Sequence, residues 1–224
     1  WLYSYSAEKL EEQLFFRIGQ AILPSATSAC FNGLESTLTC KPGAKLRYFG
    51  DGFQSSKFLE GRRFWRIPVA DGEFVLDESF GIGDGVGGGN LLLMGTDRKT
   101  ALEAAEASVE AILQVPGAIA PFPGGICRSP SKPKGKYANV PASTNAGFCP
   151  TLRSRVETRL TPDAHAVYEL VIDGESLACV TAAMAAAIRA ACRPGITQIT
   201  AGNYGGKWGK YHIYLHQILR ENPA

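Results

Sequence analysis

The chain has 224 residues, of which 45% are hydrophobic and 20% are charged, a composition typical of a globular protein with a substantial core. Its 23 basic and 21 acidic residues leave a formal charge of +2, which excludes the strong basic field of nucleic-acid or membrane-surface proteins. The cysteines form no CxxC pair and no zinc-ligand spacing, which predicts a reduced, cytoplasmic protein with buried thiols rather than a disulfide scaffold.

The first third of the chain predicts one helix followed by strands. Residues 6–19 are typical of a helix that begins after the N-cap Ser6 and ends at Gly19. Residues 46–49 and 63–69 are interpreted as strands on either side of a glycine-containing loop. An Asp-Gly pair at 71–72 then predicts a hairpin turn into a strand at 73–77.

A run of glycines at 81–89 contains a formal GxGxxG at Gly83, Gly85 and Gly88. A dinucleotide-binding site requires a helix to begin at such glycines, whereas residues 90–95 are typical of another strand. We therefore reject the dinucleotide interpretation. Backbone flexibility near a ligand or a neighbouring chain explains the glycines better.

A faint internal repeat organises the second half of the chain. The first copy has a strand at 91–95 and a helix at 96–115, followed by a Pro-Gly pair, a short strand and a Gly-Gly pair. The second copy has a strand at 170–174 and a helix at 175–192, followed by the same three features. Two βαβ units folded on each other predict an α+β fold, the ferredoxin-like (split βαβ) sandwich with helices on one face of an antiparallel sheet. The tail at 210–216 alternates apolar and polar residues and is interpreted as a further strand.

Glu169 stands in the middle of an apolar run at 166–174 that predicts a strand buried on both faces. In strand geometry Val167, Glu169 and Val171 share one face. Glu169 is therefore either a carboxyl held away from water, with a raised pKa, or a carboxyl on a half-wet face paired with Lys or Arg. The two repeats align Glu169 with Asn90, and a polar residue in both copies favours a site over an accident of packing.

Three loops surround this repeat. The Gly-Gly loops at 121–125 and 202–207 are expected to line one cleft. The loop at 129–137 is basic and rich in Pro and Ser, and is either a solvated connection or a clamp for an anionic tail.

Other kinds of active site fit the sequence less well. His165 stands alone, and His212 and His216 are too far apart on one strand to chelate zinc. Residue order does not exclude a Ser-His-Asp triad, but the sequence has no GxSxG elbow, and it has no P-loop. Catalysis by a Cys-His pair with Cys127 or Cys149 has no supporting sequence signature. The remaining set, which comprises glycine-lined clefts, amides, hydroxyls and one candidate buried acid, suits the positioning of two large substrates and the stabilisation of a tetrahedral oxyanion.

Short motifs across nearly the whole chain carry a resemblance to one family. They are RIGQ at 17–20, ACFNG at 29–33, FGDGFQ at 49–54, WRIPV at 65–69, DGEF at 71–74, APFPGGI at 120–126, PASTN at 141–145, YELVI at 168–172 and AGNYGGK at 201–207. With them the chain resembles the formylmethanofuran:tetrahydromethanopterin formyltransferases, including the bacterial form in one-carbon metabolism.

The resemblance implies an acyltransferase that moves a formyl group between methanofuran, or an analogue, and N5 of tetrahydromethanopterin through a tetrahedral intermediate in a ternary complex. It implies the two carriers as co-substrates, no prosthetic group, and no nucleic-acid or membrane partner. It also implies a homotetramer or a subunit of a formyltransferase/hydrolase complex. The buried glutamate proposed to act in the family's active site corresponds to Glu169, which we expect to be protonated and to donate to the oxyanion or to shuttle the amine proton.

The loops and the resemblance together predict the residues that bind the two carriers, and no metal ligand. The predicted residues are Pro121, Phe122, Pro123, Gly124, Gly125, Ser143, Thr144, Asn145, Asn203, Tyr204, Gly205, Gly206 and Lys207.

The family has two ferredoxin-like lobes. Residues 1–70 are expected to be the remainder of a truncated N-terminal lobe, because family members carry a considerable segment before the region that matches Trp1, and residues 71–224 are expected to be a complete C-terminal lobe. The alternative function is a non-catalytic carrier-binding or assembly subunit of a formyltransferase/hydrolase complex, which keeps the clefts without turnover.

Overall fold

A computed structural model describes residues 2–4, 6–128, 130–202, 204 and 209–223 of the chain. The chain divides into two compact units, Trp1–Asp84 and Gly85–Ala224, and both contain helices, antiparallel strands and an apolar core. Within the described residues, every helix is too short or too polar to cross a membrane.

The first unit combines a long helix with two small antiparallel sheets. Its elements are α1 (Ala7–Arg17), a π-helical turn (Ile18–Ile22), β1 (Leu38–Cys40), α2 (Pro42–Leu46), a 3-10 turn (Arg47–Gly50), β2 (Ser55–Leu59), β3 (Arg62–Val69), β4 (Gly72–Asp77) and β5 (Phe80–Ile82). One sheet has the order β2-β3-β4, and β1 pairs with β5. The hairpin predicted at 71–72 is confirmed, since Val69 pairs with Gly72, and Ser6 is the N-cap of α1, accepting a hydrogen bond from the Lys9 N–H.

Two other predictions for this unit are wrong. Gly19 does not end the first helix, because Ile18 and its neighbours pack into the core and the backbone stays helical through the π turn. Residues 46–49 are helical rather than extended. Pro42 begins a short helix there, and Arg47 lies over the Trp65 ring at 4.6 Å from its centroid.

The second unit contains the repeat predicted from the sequence. Its elements are β6 (Val86–Gly95), α3 (Arg98–Leu113), β7 (Ala118–Ile119), a 3-10 turn (Pro123–Gly125), β8 (Ser131–Pro133), β9 (Ala142–Thr144), two 3-10 turns (Ala146–Phe148 and Pro150–Leu152), β10 (Ala166–Gly174), α4 (Leu177–Ala191), β11 (Ile196–Thr200) and α5 (Leu215–Glu221). The units β6–α3–β7 and β10–α4–β11 interleave in one antiparallel sheet of order β11-β6-β10-β7. The predicted strand at 90–95 is confirmed, since it lies within β6 and no helix begins at the preceding glycines.

Each face of this sheet has its own apolar layer. Leu91, Leu93, Leu170 and Ile172 point toward α3 and α4, where alanines allow close packing of the two helices. The opposite face carries a second cluster, which is covered by the segment between β7 and β10: Leu92, Met94, Phe148, Leu160, Ala164 and Val167. The strand at β10 is therefore buried on both faces, as predicted.

The C-terminal tail is not a strand. Residues 211–214 have no regular structure and α5 begins at Leu215. Ile218 is buried in the core beside α4, with Leu215 and Leu219 packed against it. This helical spacing of apolar residues outweighs the alternation in the preceding segment.

Candidate active site

Glu169 lies at the centre of β10 with only 3% of its surface exposed. Its strand partner is Leu92, and it shares its face of the sheet with Val167, on the side away from the helices. The alternation of side chains along the strand places a carboxyl in this otherwise apolar layer. Burial dominates its electrostatics and raises the pKa of the Glu169 carboxyl above its ordinary value.

Neutral groups hold both oxygens of this carboxyl. The side-chain amide of Asn90 donates to Glu169 Oε1 at 3.0 Å, and the backbone N–H of Ser131 donates to Oε2 at 3.3 Å. These two donors lower the pKa, but by less than burial raises it. The backbone of Glu169 exchanges two hydrogen bonds with Cys127, at 2.8 and 3.0 Å, which ties the loop after Gly125 to the centre of the strand.

Tyr204 completes the network around the carboxyl. Its hydroxyl donates to the backbone oxygen of Ser131 at 2.9 Å and accepts a long hydrogen bond, 3.4 Å, from the Asn90 amide. Burial, and then the negative charge of Glu169, raise the pKa of the Tyr204 phenol. The phenol therefore stays protonated at neutral pH and keeps its hydrogen bond to Ser131.

The structure distributes the other predicted site residues around this network. Thr144 pairs with Ser131 in the β8–β9 hairpin, so it lies one strand away from the Glu169 contact. The Ser143 hydroxyl donates to Lys134 O within that hairpin, and the Asn145 N–H donates to Pro130 O. The glycine loop, with Pro121, Phe122, Pro123, Gly124 and Gly125, leads into Cys127. Four predicted residues lie outside the described residues: Asn203, Gly205, Gly206 and Lys207.

Two residues of the network were not among the predicted site residues. Asn90 carried a signal, since it aligns with Glu169 in the internal repeat. In space it is a diagonal neighbour of Glu169, because the register pairs Asn90 with Val171. Ser131 carried no signal, because it contributes only its backbone N–H and oxygen, and such contacts do not depend on the side chain.

The arrangement is suited to proton donation without a strong base. A carboxyl with a raised pKa, a protonated phenol and an amide lie together, and neutral carboxylic acids of this kind donate hydrogen bonds to developing oxyanions. In the part of the chain that the structure describes, there is no cluster of three or more His, Cys, Asp or Glu side chains with the arrangement of a metal site.

Comparison with known proteins identifies the family. A model for formylmethanofuran-tetrahydromethanopterin formyltransferase matches residues 1–69, and one described as "FTR, proximal lobe" matches residues 72–218. The formylmethanofuran–tetrahydromethanopterin formyltransferase of Methylococcus capsulatus is 48% identical over 97% of this chain and 74% of its own length. A subunit of the formyltransferase/hydrolase complex of Methylorubrum extorquens is 46% identical over 100% of this chain and 75% of its own length.

Solved structures agree with these relatives. The formyltransferase from Methanosarcina barkeri superposes with a TM-score of 0.88 at 44% identity, covering 96% of this chain and 74% of that one. A chain of the Methylorubrum extorquens formyltransferase/hydrolase complex, solved with methylofuran, superposes with a TM-score of 0.89 at 46% identity, covering 96% and 73%. Sequence and structure therefore agree that the chain belongs to the formylmethanofuran–tetrahydromethanopterin formyltransferase family.

Proposed function

We propose that this chain transfers a formyl group between a methanofuran-type amine and N5 of tetrahydromethanopterin, with Glu169 as the catalytic acid. The observation that carries the role of Glu169 is a buried carboxyl, with a raised pKa, whose oxygens are held by neutral donors. The relatives, which carry the name of the transferase, support the reaction and favour an enzyme over a non-catalytic subunit.

The reaction needs a hydrogen-bond donor for the oxyanion and a proton for the leaving nitrogen. The nitrogen of the accepting carrier attacks the formyl carbon, a C–N bond forms, and the carbonyl oxygen gains negative charge in a tetrahedral intermediate. Protonated Glu169 donates a hydrogen bond to this oxygen. When the intermediate collapses, the C–N bond to the other carrier breaks, and the leaving nitrogen takes the proton released by the attacking nitrogen. The Glu169 carboxyl can relay this proton, because it gives its own proton to the leaving nitrogen and takes the one released by the attacking nitrogen.

The two carriers are the co-substrates of the proposed reaction, and the chemistry requires no bound prosthetic group. One solved relative was crystallised with methylofuran, which supports a furan carrier as one of the two. For their binding we propose the loops that surround Glu169. The loop at 121–125 leads to Cys127, the hairpin residues Ser143, Thr144 and Asn145 adjoin Ser131, and Tyr204 bonds to that same residue. For Asn203, Gly205, Gly206 and Lys207 the support is the family motif at 201–207.

The proposed architecture has two lobes, residues 1–70 and 71–224, of the ferredoxin-like (split βαβ) type. The sheet order β11-β6-β10-β7, with both helices on one face, supports that topology for the second lobe. The two family matches, at 1–69 and 72–218, support the boundary, although β4 (Gly72–Asp77) pairs with β3 of the first unit. The relative in a formyltransferase/hydrolase complex supports assembly of this chain into such a complex, whereas the alternative, a homotetramer, is proposed from the family resemblance alone.

Replacement of Glu169 tests the proposed role directly. Formyl transfer from N5-formyl-tetrahydromethanopterin to a methanofuran amine would be measured by chromatography of the two carriers, for the unaltered chain, for Glu169→Gln, and for Glu110→Gln on the exposed face of α3. We expect Glu169→Gln to lower kcat by a factor of roughly 100 to 10,000, which is the usual contribution of a general acid. Binding of the pterin should persist and Glu110→Gln should behave like the unaltered chain.

Two results would overturn parts of this proposal. Unchanged turnover of Glu169→Gln would remove the acid role but leave the transferase. Absence of transfer by the unaltered chain, with pterin still bound, would instead support a carrier-binding subunit.

A further inference from the structure

Asn90 makes three hydrogen bonds from one side chain, and they join three separate segments of the chain. Its Nδ2 donates to Glu169 Oε1 at 3.0 Å and to the Tyr204 hydroxyl at 3.4 Å. Its Oδ1 accepts from the backbone N–H of Gly202 at 3.0 Å. Asn90 therefore lies between the strand that carries the acid and the loop that carries the phenol.

The Gly202 contact determines which way the amide points. Because a backbone N–H can only donate, its partner on Asn90 must be the oxygen, and the amide nitrogen is directed to Glu169 and Tyr204. Gly202 also has to be small here. A Cβ at this position would lie 2.9 Å from Asn90 Nδ2 and 2.9 Å from Tyr204 Cζ. The close approach of backbone, amide and phenol thus depends on a glycine.

We propose that Asn90 is a positioning residue for the acid, holding the Glu169 carboxyl and the Tyr204 hydroxyl in one fixed arrangement. This inference rests on the proposed function of Glu169 for its effect on catalysis. Its structural part, that the Asn90 amide holds the carboxyl, stands on the three contacts alone. Asn90 thus acts on turnover through Glu169, without contact with the reacting atoms.

Two consequences follow from the loss of the Asn90 donor. The carboxyl gains rotational freedom and is misaligned, which lowers kcat more than it changes KM. The ionised carboxylate also loses a hydrogen bond that stabilises it, so Glu169 holds its proton to a higher pH. Among the described residues, the other titratable side chains near the network are Tyr204, Cys127, the exposed Lys132 of β8, and Asp173 on β10 itself. Of these, Tyr204 also loses the Asn90 hydrogen bond in an Asn90 variant.

Two substitutions at Asn90 separate positioning from a general structural role. Asn90→Leu removes both the donor and the acceptor of the amide. Asn90→Asp keeps the acceptor for the Gly202 N–H, and only its protonated form can donate to Glu169 in place of the amide. We therefore expect Asn90→Leu to lower kcat roughly 100-fold, without recovery as the pH falls. Asn90→Asp should show a similar loss at high pH and should recover toward the unaltered chain as the pH falls.

The titration of the carboxyl provides a readout that does not require activity. The infrared band of the protonated Glu169 carboxyl would be identified by its absence in Glu169→Gln, and its pH midpoint measured in each variant. We expect this midpoint to move to higher pH in Asn90→Leu. Gln198→Glu, an amide-to-acid change at an exposed position of β11, is the control for a new carboxylate and should leave kcat and the midpoint unchanged.

The outcomes distinguish this inference from the proposed function. Unchanged kcat and an unchanged carboxyl midpoint in Asn90→Leu would overturn the positioning role, and so would equal losses at every pH in Asn90→Asp. If the unaltered chain transfers no formyl group, the proposed function fails, but the carboxyl midpoint still decides the Asn90 contact. If Asn90→Leu does not fold, Gly202→Ala replaces it, since the added methyl group displaces the amide from outside and predicts the same fall in kcat.

Discussion

At the scale of single residues, two buried carboxyls differ in whether a cation lies beside them. Asp77 is 2% exposed, and its oxygens bond to the guanidinium of Arg62 and to the backbone N–H of Asn32. Glu169 is 3% exposed, and its oxygens bond to an amide and a backbone N–H. Neutral donors compensate less of the desolvation of a carboxylate than a cation does. Burial without a neighbouring cation therefore raises the pKa of the Glu169 carboxyl.

The raised pKa of Glu169 predicts a pH-dependent effect on stability. At pH values between the ordinary pKa of 4.5 and the raised pKa of the folded state, folded Glu169 binds more protons than unfolded Glu169. The free energy of unfolding therefore falls as the pH rises through this range. Glu169→Gln lacks this loss. We expect the melting temperature of Glu169→Gln, relative to that of the unaltered chain, to increase as the pH rises from the ordinary value of 4.5 through the raised pKa of Glu169.

Calorimetry across this range measures the difference, with Glu110→Gln as the control. The Glu110 side chain is exposed, so the difference in melting temperature between Glu110→Gln and the unaltered chain should not change with pH. A flat difference for Glu169→Gln as well would show that its carboxyl titrates alike in the folded and unfolded chain.

At the scale of elements, glycines and alanines set the distance between the helices and the sheet. Gly89 in β6 lies directly under α4, where an added Cβ would stand 2.8 Å from Val180 Cγ1 and 2.9 Å from Met184 Sδ. The two helices approach closely enough for the Ser108 hydroxyl of α3 to lie 2.9 Å from Ala187 O of α4. On this face α3 and α4 pack closely against the strands β6 and β10, which carry Asn90 and Glu169.

Substitution of Gly89 by Ala should therefore destabilise the protein. The new methyl group meets the β-branched Val180, which has little rotamer freedom, so we expect a loss of about 1–3 kcal/mol in the free energy of unfolding. Gly87→Ala is the matched control on the same strand, because its Cβ would stand 3.7 Å from Asp173 Oδ1, an ordinary contact. Denaturant titration of both variants checks this, and equal stability would contradict the close approach of α4.

At the scale of the whole molecule, the free energy of folding comes from apolar clusters rather than cross-links. One cluster lies in the first unit and two lie on the two faces of the sheet in the second. The described residues contain no disulfide bond, and burial raises the pKa of the Cys30 and Cys40 thiols. A thiol whose pKa is raised has less of the reactive thiolate at neutral pH.

Two measurements follow from this cysteine chemistry. We expect the melting temperature to be the same with and without a thiol reductant, because reduction breaks no bond that holds the fold. Under native conditions, a thiol reagent should label the exposed Cys192 faster than the buried Cys40. A fall in melting temperature on reduction, or faster labelling of Cys40, would contradict this arrangement of thiols.

The sequence by itself determined the elements whose signals are local. The period of the apolar residues predicted the strands and helices of the repeat, the side-chain alternation placed Glu169 on the same face as Val167, and the motifs identified the family. Local signals failed at 46–49 and 210–216, where short apolar runs fit either a strand or a helix. The packing of Leu46 decided for helix in the first unit, and in the second the packing of Ile218 against α4 decided for a helix that begins at Leu215, after an irregular segment at 211–214.

Only the tertiary structure decided what surrounds the carboxyl. Asn90 and Ser131 stand 79 and 38 residues from Glu169 along the chain, and Tyr204 is 114 residues from Asn90. No periodicity connects residues so far apart, and both contacts of Ser131 use its backbone, which leaves no trace in residue type. The pKa of Glu169 depends on this environment. The sequence therefore placed a carboxyl in a buried strand, and the fold determined its hydrogen-bond partners and raised its pKa.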